Sequence, residues 1–107
     1  MISRNCLSEL ADNLPNVLKY ICEGNYLKPS ELTFALEYLG GTEIKEFGPY
    51  LESVCLDTSM SPMVREGAYY GLYSVYGDDN SDYDFSKVLD SFKNSTSPGL
   101  QAIAKDD

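Results

Sequence analysis

The sequence contains no histidine, which removes the side chain that most often serves as general base, proton shuttle and metal ligand near neutral pH. Ser-His-Asp and Cys-His catalytic arrangements are thereby excluded. The three cysteines, Cys6, Cys22 and Cys55, form an odd set without a Cys-x-x-Cys pair. Neither a disulfide framework nor a zinc knuckle is expected from them, and they read as reduced packing residues. Basic residues are scarce: eight lysines and arginines stand against seventeen aspartates and glutamates, a net charge of −9. That balance repels nucleic-acid backbones and anionic membranes and favours basic protein partners. No stretch approaches the ~18 uninterrupted apolar residues of a membrane span, and Glu9 and Asp12 stand where a secretory signal would need an apolar run. A cytoplasmic location is expected. No Gly-rich strand-to-helix loop is present either, so no nucleotide and no other cofactor is anticipated.

What the sequence does contain is a period. In the segments opening at Pro29, Pro62 and Pro98 the sixth residue after the proline is alanine, namely Ala35, Ala68 and Ala104; in the first two the tenth is leucine, Leu39 and Leu72. Upstream of each proline lies a second series with helix-face spacing: Leu14, Leu18, Ile21 and Cys22, then Phe47, Leu51, Val54 and Cys55, then Phe85, Leu89 and Phe92. Both series step by 33 residues from the first unit to the second. Two registers that agree point to a single domain, residues 1–107, built from three helical hairpins. Expected spans are 13–23 and 30–39, 43–56 and 62–76, then 84–94 and 98 onward, with a short helix over residues 1–12 around Cys6, Leu7 and Leu10. Ser61-Pro62 suits the cap and first position of a helix. Gly24, Gly40-Gly41 and Gly77 sit where helices should stop, and left-handed glycines are expected to satisfy the last carbonyls there.

The central stretch runs Leu56-Asp57-Thr58-Ser59-Met60-Ser61-Pro62-Met63-Val64-Arg65-Glu66-Gly67-Ala68. It resembles the HEAT repeat, in which an aspartate-bearing turn precedes Val-Arg and a small residue. The resemblance covers roughly residues 13–107 but is carried by 47–72. It implies an all-α fold, a short right-handed superhelix of about three HEAT-like helical hairpins, with structural roles for Asp57 and Arg65. Leu32 and Gln101 replace the arginine in the flanking units, so a continuous ladder of charge pairs does not follow. Such arrays act as binding scaffolds, which implies a mode of action and no named activity.

The segment Asp78-Asp79-Asn80-Ser81-Asp82-Tyr83-Asp84 resembles a calcium loop only in its oxygen content; glycine and glutamate are missing from the sixth and twelfth positions that an EF-hand requires. It reads as a solvated acidic loop and no metal is expected. It is also an insertion, because Leu72 to Phe85 is five residues longer than Leu39 to Phe47, and insertions in helical arrays fall on one edge, often a binding edge. From Glu66 through Ser86 there are five acids, Glu66 included, and no lysine or arginine. Beside them Tyr69, Tyr73 and Tyr76 recur at helical spacing; as packing residues they would cover the core edge, as binding residues they would act as interface anchors. The candidate partner-binding set is therefore Tyr69, Tyr73, Tyr76, Glu66, Asp78, Asp79, Asp82, Tyr83 and Asp84, with no catalytic residue.

These features lead to an expected non-enzymatic, protein-binding role: a small acidic inhibitor or immunity protein that neutralises a basic toxin or nuclease by capping it. The alternatives are a structural scaffold or adaptor fragment of a larger helical-repeat assembly, and a phage-type inhibitor whose carboxylates imitate nucleic acid. None of the three involves direct nucleic-acid or membrane binding.

Overall fold

A computed structural model of the chain describes residues 15–24, 26–77 and 82–106. The helix expected at residues 1–12, with Cys6, and the positions of Leu14, Asp78 and Asp79 lie outside the described residues. Those described are helical, with no strand among them. Helix α1 covers residues 15–23; α2 is Pro29–Gly41; a 3-10 turn at Lys45–Phe47 leads into α3, Gly48–Leu56. Then come α4, Pro62–Tyr76, α5, Ser86–Lys93, and α6, Pro98–Asp106. Most helix ends fall where proline spacing and apolar periodicity put them, to within about two residues, the margin to which helix ends are defined; the exception is α3, which begins at Gly48 and not at 43, because Glu43 takes a left-handed φ and a 3-10 turn occupies Lys45–Phe47.

The starts are set by local chemistry. The hydroxyl of Ser61 accepts the Val64 amide at 3.4 Å with Pro62 in the first turn, and Ser97 repeats this before Pro98, accepting the Leu100 amide at 3.5 Å. At α2 the cap residue is Lys28, and Glu31 reaches back to accept the Lys28 amide at 2.9 Å, the returning half of a capping box. The stops differ from expectation. No described glycine has a positive φ; the left-handed residue is Glu43, at φ 59°. Past α2 the last carbonyls are taken by Thr42, whose hydroxyl donates to the Leu39 carbonyl at 2.6 Å, and by the Glu43 amide, which donates to Gly40 at 2.9 Å.

The reason lies in packing. Helices α3 and α4 form an antiparallel hairpin, with Gly48 against Tyr76, Leu51 against Gly71 and Cys55 against Arg65. Helix α2 lies parallel to α4, with Thr33 at Gly67 and both Leu36 and Gly40 at Gly71. A Cβ on Gly67 would stand 2.8 Å from the Thr33 carbonyl oxygen, and one on Gly71 would stand 2.6 Å from that of Leu36. Gly40 and Gly71 are thus a backbone-to-backbone seam, and Gly40 is there for its missing side chain, with ordinary helical φ.

The core runs along the interior of both seam and hairpins. Leu36, Leu39, Leu51, Cys55, Ala68, Leu72, Val88, Phe92 and Leu100 are each 0% exposed, and burial of a leucine or phenylalanine of this kind contributes about 1.5–3 kcal/mol. Equivalent positions behave alike: Ala35 and Ala68, Leu39 and Leu72, and Cys22 and Cys55 are all buried, whereas Ala104 on α6 is half-buried.

Among the described residues the one buried charge is Arg65. Its Nε donates to the Cys55 carbonyl at 2.9 Å, its terminal nitrogen donates to Ser91 Oγ at 2.8 Å, and the guanidinium lies 5.3 Å from the Phe92 ring centre. Arg65 therefore fastens the last turn of α3 to α4 and α5 in one stroke. Asp57 ties a different knot: its Oδ1 accepts the Ser59 amide at 2.9 Å and the Ser59 hydroxyl at 2.6 Å, closing the turn before α4.

Candidate functional site

Helix α4 presents its tyrosines on several sides. Tyr69 is only 5% exposed, packed edge-on against Phe85 and close to Phe92, with ring centres 6.1 and 5.8 Å away. This corrects its expected role as a surface anchor. Phe85 and Phe92 come from the third helix pair and roof over a position that α4's own periodicity leaves at the stripe edge. Tyr73 is 52% exposed, with one face of its ring toward Phe85. It is the most exposed of the trio, Tyr76 being half-buried.

Tyr76 and Tyr83 form a stacked pair, with ring centres 4.4 Å apart and planes within 8°. The Tyr76 hydroxyl donates to the Lys45 carbonyl at 3.3 Å, and the Tyr83 hydroxyl donates to Glu52 Oε1 at 2.7 Å. The limb of the inserted loop that descends into α5 is thereby tethered to α3 and to the turn before it. Burial first, then the bond to the Glu52 carboxylate, push the Tyr83 hydroxyl above the ordinary phenol range. Glu52 owes this partner to the segment between α4 and α5, and spacing within its own helix carries no sign of it.

The carboxylates divide in the same way. Asp82 and Asp84 are exposed. Asp84, just before the cap residue Phe85, accepts the amide of Ser86 at the start of α5 at 2.9 Å, and its hydrogen bonds to Ser86 hold its pKa below the ordinary carboxylate value. Glu66 is half-buried beside Gly99 in the first turn of α6.

The structure brings forward a group that periodicity missed. Phe34 is 72% exposed, Tyr38 51%, Tyr70 51% and Met63 43%. Phe34 and Tyr38 belong to α2 and the others to α4, the two helices joined by the glycine seam. Exposed large apolar side chains that gather on neighbouring elements mark interaction surfaces more often than isolated ones do.

Elsewhere a shallow groove of about 620 Å³ runs between the end of α1 and α3, lined in part by Cys22, Tyr50, Ser53 and Asp57. Burial raises the Cys22 thiol to about 11 and the Cys55 thiol to about 12, the wrong direction for a thiolate nucleophile. Among the described residues no three cysteine, aspartate or glutamate side chains converge as a metal site requires, and no helix is long and apolar enough to cross a membrane. Comparison with family models, with curated proteins and with solved structures finds no match.

Proposed function

We propose that this chain is a non-enzymatic protein-binding domain: a small acidic inhibitor of the immunity-protein kind, which neutralises a basic toxin or nuclease by capping it. Its scaffold, on this proposal, is a short HEAT-like stack in which successive hairpins repeat one arrangement. In support, parallel α2 and α4 meet at Thr33 and Gly67, and at Leu36 or Gly40 and Gly71, offsets that bracket the 33-residue period of the sequence.

The observation that carries the functional proposal is the coincidence of exposed aromatic rings with carboxylates on a chain of net charge −9. Rings supply contact area at small entropic cost, and carboxylates steer a cationic partner toward them. Tyr73 would anchor, Tyr76 and Tyr83 would hold the inserted loop in shape, and Asp82 and Asp84, with Asp78 and Asp79 of the same loop, would supply the field.

Immobilised full-length chain exposed to a lysate of its native host is expected to retain a basic protein whose activity falls to zero at one equivalent of added chain. Recovery of homologous helical-repeat chains alone would overturn this in favour of the adaptor alternative. Competition by duplex DNA for the same partner would instead mark a nucleic-acid mimic.

A further inference from the structure

We propose that the open side of α2 and α4, bearing Phe34, Tyr38, Met63, Tyr70 and Tyr73, is the docking face, and that its occupant is a protein surface presenting arginine side chains. The inference rests on the preceding proposal of a basic partner and names both the face and the chemistry that fits it.

The two helices form one surface because of the glycine seam. Phe34 follows Thr33, which abuts Gly67, and Tyr70 precedes Gly71, which abuts the Leu36 carbonyl. These side chains are therefore carried on two helices whose backbones run close and parallel. Interior positions Leu32, Ala35, Leu36 and Leu39 of α2, and Val64, Ala68, Leu72 and Val75 of α4, are buried. About half a turn away stand Phe34 on α2 and Met63, Tyr70 and Tyr73 on α4, each more than 40% exposed.

Charge selects the occupant. Helix α2 carries Glu31 and Glu37 and no lysine or arginine; α4 carries Glu66, and its single cation, Arg65, is buried. Lys28, at the cap of α2, is exposed and precedes the helix. Such a face offers π-surfaces and carboxylates together. A guanidinium uses both, stacking flat on a ring while donating in the plane to a carboxylate; a lysine ammonium is more strongly hydrated and cannot stack.

The test is an amide-resolved NMR titration of the full chain with nona-arginine and, separately, nona-lysine peptide. Saturable shifts confined to residues 29–41 and 62–77 are expected, with nona-arginine tighter by about threefold or more. Phe34→Ala with Tyr70→Ala, both at exposed positions, should weaken nona-arginine by about tenfold while leaving the rest of the spectrum in place. Glu37→Gln should weaken both peptides. Saturable binding centred instead on residues 82–90 would overturn this face and leave the basic-partner proposal standing. Failure of both peptides to bind anywhere would overturn both, and a dimer in sedimentation that loses its association on Phe34→Ala would assign the face to a second copy of the chain.

Discussion

Gly40 and Gly71 meet backbone to backbone: a Cβ on Gly40 would fall inside the van der Waals envelope of the Gly71 Cα and carbonyl, whereas one on the adjacent Gly41 would meet nothing within 4 Å. Neighbouring glycines of one helix end thus have opposite roles. Gly40→Ala or Gly71→Ala must push α2 and α4 apart, and overpacking of this kind costs about 1–3 kcal/mol or more. Gly41→Ala, exposed and without positive φ, should instead stabilise by about 0.4–1 kcal/mol through the unfolded chain's lost freedom. Urea unfolding of the three variants checks the sign of each; equal effects would show that no close seam exists.

Much of the architecture was legible because capping and periodicity are local. Ser61-Pro62 and Ser97-Pro98 mark helix starts wherever they occur, and the buried Leu39 and Leu72 stand at matching places in the period. The seam was not legible, since a glycine that stops a helix and one that admits a neighbour look identical in one dimension. The tyrosines show the same limit. Tyr69 and Tyr70 are adjacent, yet one is 5% and the other 51% exposed, because Phe85 and Phe92 of a different helix pair cover only the first. A helical wheel ranks positions by their own helix and is silent about what lies across from them.

Arg65 replaces an ion pair with a triple attachment to a carbonyl, a hydroxyl and an aromatic face. Arg65→Ala leaves the Cys55 carbonyl without its donor and opens space beside Phe92, and should cost about 2–4 kcal/mol. Arg65→Lys keeps the charge but loses the planar fork, so it should recover only part of that loss. Ser91→Ala should cost less than either, about 0.5–1.5 kcal/mol. Full rescue by lysine in denaturant unfolding would mean that charge alone matters at this position.

The stacked rings of Tyr76 and Tyr83 and the bond from Tyr83 to Glu52 fix the inserted loop by two separable means. Tyr83→Phe keeps the stack and removes the hydroxyl, an expected loss of about 0.5–1.5 kcal/mol; Tyr83→Ala removes both and should cost about 2–3 kcal/mol. Glu52→Gln can still accept the phenol, so Tyr83→Phe should keep most of its cost on that background, whereas on a Glu52→Ala background, where the acceptor is gone, it should add little. Hydrogen exchange of the amides at 82–86 should accelerate in Tyr83→Ala and barely change in Tyr83→Phe. Equal acceleration in both would place the tether in the hydroxyl alone.

The dependence of stability on pH should bend at both ends, with signs fixed by the direction of each shift. Hydrogen bonds from Ser59 and Ser86 depress the carboxyls of Asp57 and Asp84 in the fold. Their contribution is complete above the ordinary carboxylate range and disappears as pH falls through the lowered native values. Asp84 is exposed and Asp57 partly so, so Asp57→Asn and Asp84→Asn should flatten the acid limb only slightly. On the alkaline side, burial raises the thiols of Cys22 to about 11 and Cys55 to about 12, and raises the Tyr83 phenol. The fold favours the protonated form of each, so the unfolded chain releases its protons first. That stability is full below the thiol's ordinary value of 9.0 and is lost as pH climbs through the native values. Urea midpoints should therefore fall from about pH 9 upward, with Cys55→Ala lowering stability near neutrality yet reducing the alkaline slope. An alkaline slope unchanged in Cys55→Ala, Cys22→Ala and Tyr83→Phe alike would mean that these groups are solvated in the native chain, contrary to the packing described.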